Sequence, residues 1–289
     1  MDIGFIQRLC RDTIKRGQIL TLICGLLFVT GGCFAQARDL ATPLSIGETF
    51  TIRSDILGET RRINVYMPSV YTTTNKLRLP VLYMPDGGLA EDFLHVAGLL
   101  QVSVDNNTMR PFILVGIENT QRRRDLTGPT EVAKDKAIAP VVGGSAAFRR
   151  FIRTELIPQV KERYRTTAEN AIVGESLAGL FAVETLLLEP DLFDIAIAID
   201  PSLWWNDSQL IKDAESLLKA KASSSKTLYL VASGEKGEAE MMQEFSHALT
   251  KAGNVGLHWR VESMPGESHA TVYQPAALKA FRTVFKPAS

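Results

Sequence analysis

Cysteine is nearly missing from this chain. Of 289 residues only Cys10, Cys24 and Cys33 carry a thiol, and all three fall within the first 33 positions. Without that stretch no disulfide framework, thiolate metal site or cysteine nucleophile is available, and a thiol-free body suits an oxidising compartment. An excess of charge is also missing. With 32 basic against 32 acidic side chains, nothing in the balance favours nucleic acid or an acidic membrane surface as a partner. No long Pro-, Ser- or Gly-rich linker and no internal repeat interrupts the chain, so residues 38–289 read as one domain. Neither a G-x-x-x-x-G-K-[ST] string, a dinucleotide G-x-G-x-x-G nor a set of paired metal ligands occurs. Neither a metal nor a cofactor is therefore expected. The apolar fraction of 45% excludes disorder as the main character of the chain.

What is there begins with a leader. Arg8, Arg11, Lys15 and Arg16 precede an apolar run from Ile19 to Thr30, and small residues then lead to Ala35-Gln36-Ala37. This is the pattern of an export signal spanning residues 1–37 and cleaved after Ala37, which predicts a periplasmic or secreted product with no stable membrane insertion. The run is shorter than the roughly 20 residues a membrane span needs, which counts against an uncleaved anchor. Lipid attachment at Cys33 is the alternative, weakened by Thr30, where such signals usually carry Leu, Val or Ile.

From residue 48 onward the pattern predicts a doubly wound α/β domain with a mostly parallel sheet and helices on both faces. Phe50 to Arg53 and Arg61 to Met67 flank Gly58 as an antiparallel N-terminal hairpin. Buried strands follow at 80–84, 112–116, 171–173, 195–199 and 227–231, with 257–261 last. They are short, apolar on both faces and rich in β-branched residues, as strands covered on both sides must be. Phe148, Phe151, Ile152, Leu156, Val160 and Tyr164 form a helical stripe that Pro158 should kink or split. Further helices are predicted near 90–101, 177–188, 208–221, 238–252 and 274–284. In such a sheet the ligand site lies at the carboxyl ends of the strands.

One strand end carries chemistry. Ala171-Ile172-Val173 runs into Gly174-Glu175-Ser176-Leu177-Ala178-Gly179 and then into helical Leu180-Phe181-Ala182-Val183. Strand, tight turn and helix in this order form a nucleophile elbow presenting Ser176, with Ala178 where the usual pattern has Gly. The helix start aims its dipole and the Leu177 amide at a developing oxyanion. Together with YMPDGG at 83–88, VGIENTQRRRDLTG at 115–128, GGSAAFRRFIRTELIPQVKERY at 143–164, DPSLWWND at 200–207 and GESHA at 266–270, this resembles the putative-esterase branch of the α/β-hydrolases. That branch includes siderophore-lactone esterases, esterase D-like enzymes and mycolyltransferases. The chain departs from the branch at Glu175, where relatives commonly have His, and at Ala178.

A serine hydroxyl needs a base. Of His95, His247, His258 and His269, only His269 lies in a loop after the last strand, which is also the family's position. The resemblance implies chain order Ser, acid, His, which directs attention to Glu235 in the loop after 227–231, at the family's usual acidic position. Glu238 is close behind and Asp200, ending the neighbouring strand, is a third option; Glu240 is expected to face solvent. By family position the Gly88 amide would pair with Leu177 in the oxyanion hole. Trp204, Trp205 and Arg124 also follow strand ends and are candidates for substrate contact, although at least one of the two tryptophans is expected to be core and Arg122-Arg123-Arg124 also fits a solvated or ion-paired loop. These readings predict an exported serine esterase acting on a small-molecule ester or lactone through an acyl-enzyme. An acyltransferase would use the same residues, and Glu175 beside the nucleophile motivates a rival, a hydrolase-like protein that binds without catalysis.

Overall fold

The computed structural model describes residues 41–221, 225–253 and 255–287. The predicted leader, with Cys33 and the cleavage point after Ala37, lies outside them. Residues Ser45–Ser289 form one compact unit. No described helix is long and apolar enough to cross a membrane.

Eight strands form one sheet: β1 (Glu48–Ser54), β2 (Glu59–Tyr66), β3 (Leu79–Pro85), β4 (Ile113–Ile117), β5 (Thr166–Glu175), β6 (Ile195–Ile199), β7 (Lys226–Ser233) and β8 (Leu257–Met264). Their spatial order is β1-β2-β4-β3-β5-β6-β7-β8. β1 pairs antiparallel with β2 and β2 with β4, and every later pairing is parallel. This is the doubly wound α/β-hydrolase arrangement with an antiparallel hairpin at its edge, as the sequence predicted. The helices are α1 (Ser69–Thr72), α2 (Phe93–Asp105), α3 (Arg122–Asp125), α4 (Ala133–Lys136), α5 (Ser145–Phe151), α6 (Ile157–Arg163), α7 (Leu177–Leu188), α8 (Trp205–Ala220), α9 (Glu238–Ala252) and α10 (Tyr273–Val284).

The sheet divides the core in two because successive strand residues point to opposite faces. Ile172 of β5, Ala196 and Ala198 of β6, and Leu228 and Leu230 of β7 pack with α7, α8 and α9. Val173, Ile195, Ile197, Ile199, Tyr229 and Val231 face the other way, toward α2 and α10.

Two local features differ from the sequence reading. β5 begins at Thr166, before its apolar run, because β3 pairs with its polar start and the register shifts between Leu79 and Val81. The helix expected to kink or split at Pro158 is not split: a π-helical turn, Ile152–Leu156, joins α5 to α6, and Pro158 falls in the first turn of α6. A proline removes one amide donor and crowds the carbonyl four residues back, and a widened turn relieves both.

Candidate active site

β5 ends in the expected elbow. Ser176 sits between β5 and α7 with φ 58° and ψ −121°, a region that costs a non-glycine residue about 1–3 kcal/mol. The surroundings hold it there. The Ser176 amide donates to the Ile199 carbonyl at 3.0 Å, and the Ser176 carbonyl accepts from the amides of Leu180 at 2.9 Å and Ser202 at 3.0 Å. Gly174 is required by space: a Cβ there would lie 2.5 Å from the Ala178 carbonyl carbon and 2.6 Å from the Ala178 Cβ. The Ala178 methyl is accommodated because Gly174 has no side chain. The Leu177 amide, at the start of α7, has no acceptor among the described residues.

His269 donates no bond to Glu235. Its Nδ1 lies 2.8 Å from Asp200 Oδ2. Asp200 directly follows β6, takes φ 45° and is 1% exposed. Its carboxylate also accepts the Ser233 amide at 2.6 Å and the Ser233 hydroxyl at 2.7 Å. Burial alone would raise the Asp200 pKa, but these bonds from His269 and Ser233 hold it below the ordinary value. The bond to Asp200 raises the His269 pKa against the opposing effect of burial, and the charges of Glu175, Asp200 and Glu238 add to the rise. Among the described residues the Ser176 hydroxyl is bonded to the Ser202 hydroxyl, at 3.3 Å, and not to His269.

Of the three acids considered, the structure brings Asp200, the third option, to His269 and not Glu235. Gly234, at the end of β7, donates its amide to the Glu267 carbonyl, and the loop then carries Glu235 to the exposed surface. Glu238 comes nearer. Burial first and the charge of Asp200 second push its carboxyl up to about 7, with His269 opposing. Glu240 is exposed, as expected. Glu175 is half-buried, and its carboxyl is also pushed up to about 7, by burial first; His269 and Arg122 pull it down while Asp92 and Asp200 push it up.

The Gly88 amide donates to Glu91 Oε2 at 2.7 Å, so in this structure it is not available to an oxyanion; Glu91 reaches back one turn and also accepts the Asn119 amide at 3.3 Å. Trp205 is core, 5% exposed, with its indole N–H donated to the Gly128 carbonyl at 2.9 Å. Trp204 is partly buried against the same core. Arg124 is held by Asp125 at 2.6 Å and Glu59 at 2.7 Å, and these bonds, against burial, raise its pKa. Its guanidinium thus lies against Glu59 of the hairpin. The neighbouring Arg122 makes a two-pronged bond to Asp86, both arms 2.7 Å. His247 and His258 are exposed, on α9 and β8. Ser202 and Ser233, which bond the side chains of Ser176 and Asp200, were not singled out from the sequence; Ser233 ends β7, so the strand-end rule could have found it.

The model of the putative esterase family matches residues 54–283. The ferri-bacillibactin esterase BesA of Bacillus subtilis (strain 168) is 26% identical over 79% of this chain and 86% of its own length. The siderophore triacetylfusarinine C esterase of Aspergillus fumigatus is 31% identical over 64% of this chain and 65% of its own. The solved structure of an IroE-like serine hydrolase from Shewanella oneidensis superposes with a TM-score of 0.76 at 27% identity, covering 83% of this chain and 80% of that one. With the elbow, the sheet order and this match in agreement, the chain belongs to the putative esterase family of α/β-hydrolases and is a carboxylic ester hydrolase.

Proposed function

We propose that the protein is an exported serine esterase in which Ser176, His269 and Asp200 act as a triad on a siderophore-type ester or lactone. The observation that carries this reading is the 2.8 Å bond between His269 Nδ1 and the buried Asp200 carboxylate. That bond fixes the imidazole so that Nε2 is free to take the Ser176 proton. The hydroxyl leaves Ser202, attacks the ester carbonyl and passes its proton to His269. The tetrahedral oxyanion then forms against the Leu177 amide and the positive end of α7. Collapse expels the alcohol, which takes the proton from His269, and water repeats the sequence on the acyl-enzyme. The Gly88 amide becomes a second donor only by leaving Glu91. The substrate class draws on the relatives, named as ferri-bacillibactin and triacetylfusarinine C esterases. Export rests on the sequence of residues 1–37, and residues 38–289 would be the single catalytic domain.

The engaged Gly88 amide favours a second reading, a hydrolase-like binding protein. Fluorophosphonate labelling of the purified chain with mass-spectrometric mapping separates the two. An adduct on Ser176 that is absent in Ser176→Ala supports the esterase. No adduct on folded protein overturns it, and a panel of esters and lactones then follows only from the first result.

A further inference from the structure

β8 closes the sheet on the side away from the hairpin. It pairs with β7 from Leu257 to Met264 without a break, and its outer edge is free among the described residues: the one backbone bond β8 makes outside this ladder runs from the Glu267 amide to the Met264 carbonyl. A long edge of this kind offers its outward amides and carbonyls to any strand that can lie beside it. Trp259 is 36% exposed there, and His258 and Arg260 on either side of it are exposed too. Alternation sorts the side chains. Arg260 and Glu262 share the face turned to α10, 3.2 Å apart, and Lys279 of α10 bonds Glu262 as well. Trp259, Val261 and Ser263 share the other face, where Val261 packs with the core beneath α9.

We infer that the β8 edge binds a second copy of this chain, β8 against β8, antiparallel about a two-fold axis through Val261. Opposite residues of an antiparallel pair lie on the same face, so a two-fold axis normal to the sheet must pass through a residue. With the axis at Val261, Arg260 of each copy stands opposite Glu262 of the other. Each Trp259 then lies across from Ser263, with Val261 of the other copy diagonal to it and within reach of an indole. An axis at Arg260 or at Glu262 sets like charges face to face. One at Trp259 or Ser263 gives Glu262 no opposite cation. Charges on an edge ordinarily keep sheets apart; these oppose the neighbouring registers and favour one, as a specific contact requires. β1, at the far edge, has no such device. Its two charged residues, Glu48 and Arg53, fall on opposite faces, and no register brings them together.

Sedimentation velocity of the purified chain from about 1 to 100 μM, the range expected of a contact of modest area, is expected to show one copy converting to two. Tryptophan emission should shift to the blue in step, and Trp259→Phe should abolish that shift. Arg260→Glu sets like charges opposite one another and is expected to raise the dimer Kd at least about tenfold. The Arg260 side chain is 60% exposed, so this exchange leaves the fold intact, which circular dichroism checks. Adding Glu262→Arg restores opposite charges across the axis and is expected to recover the dimer. A native chain that stays single throughout, or a dimer indifferent to Arg260→Glu, overturns the interface. So does a folded chain carrying both exchanges that stays single.

Discussion

Asp200 and Ser233 close the acidic end of the site together: both carboxylate oxygens of Asp200 are occupied by Ser233, one by its amide at 2.6 Å and the other by its hydroxyl at 2.7 Å. Oδ2 still receives His269 Nδ1. A carboxylate held from two sides cannot rotate away, so the imidazole it anchors is held too. Asp200→Asn keeps the shape but offers the wrong partner to Nδ1, and kcat is expected to fall about 10³–10⁴-fold. Glu235→Gln, on the exposed loop, is expected to stay within about twofold. Steady-state hydrolysis of one ester by both variants checks this, and the reverse ranking would return the acid to Glu235.

The pH profile follows from the groups around His269. Its pKa is raised above 6.5 by the Asp200 bond and by the charges of Glu175, Asp200 and Glu238. The base works only when neutral, so kcat/KM on an uncharged ester rises with an inflection above 6.5. Glu175→Gln removes a negative charge that favours the imidazolium, and the acidic limb is expected to move to lower pH. A limb that stays put, or moves up, would mean that Glu175 does not face His269 in solution.

Ala178 and Gly174 share one small space, so they should not respond alike to substitution. Gly174→Ala drives a Cβ into the Ala178 backbone and is expected to cost about 3 kcal/mol or more, with loss of activity. Ala178→Gly empties the space at a cost of about 1 kcal/mol, the helix propensity difference. Thermal unfolding of the two variants tests the ranking.

Arg124 belongs to an ion-pair group with Glu59 and Asp125, and buried Arg61 joins both acids. Arg124→Ala is expected to lower Tm while leaving KM within about twofold. A selective rise in KM with Tm unchanged would restore its reading as a substrate contact.

The sheet and the elbow were legible because each rests on a local rule. Val173 and Ile172 alternate faces, Gly174 allows the turn, and the apolar start of α7 follows at once. His269 was singled out by elimination. That its Nδ1 meets Asp200 and not Glu235 was not legible. Both follow a strand end, and the choice depends on the positive φ at Asp200 and on Ser233 lying across from it, neither of which leaves a mark in composition or periodicity. The Gly88 amide was lost to Glu91, a bond between residues three apart in an irregular loop. Arg124 and Trp205 followed strand ends as candidates should, but Glu59 and the Gly128 carbonyl, distant in sequence, bind them.

Asp86, Ser176 and Asp200 each leave their strand with a positive φ, at 58°, 58° and 45°. Conformations of this kind are not held by the local chain; they persist only when neighbouring strands pin the backbone on either side, as Ile199 pins Ser176 and Val231 pins Asp200. The corner that carries the chemistry therefore has no structure to inherit from its own segments. In refolding it is expected to assemble after the central strands have paired, with hydrolytic activity returning later than sheet circular dichroism.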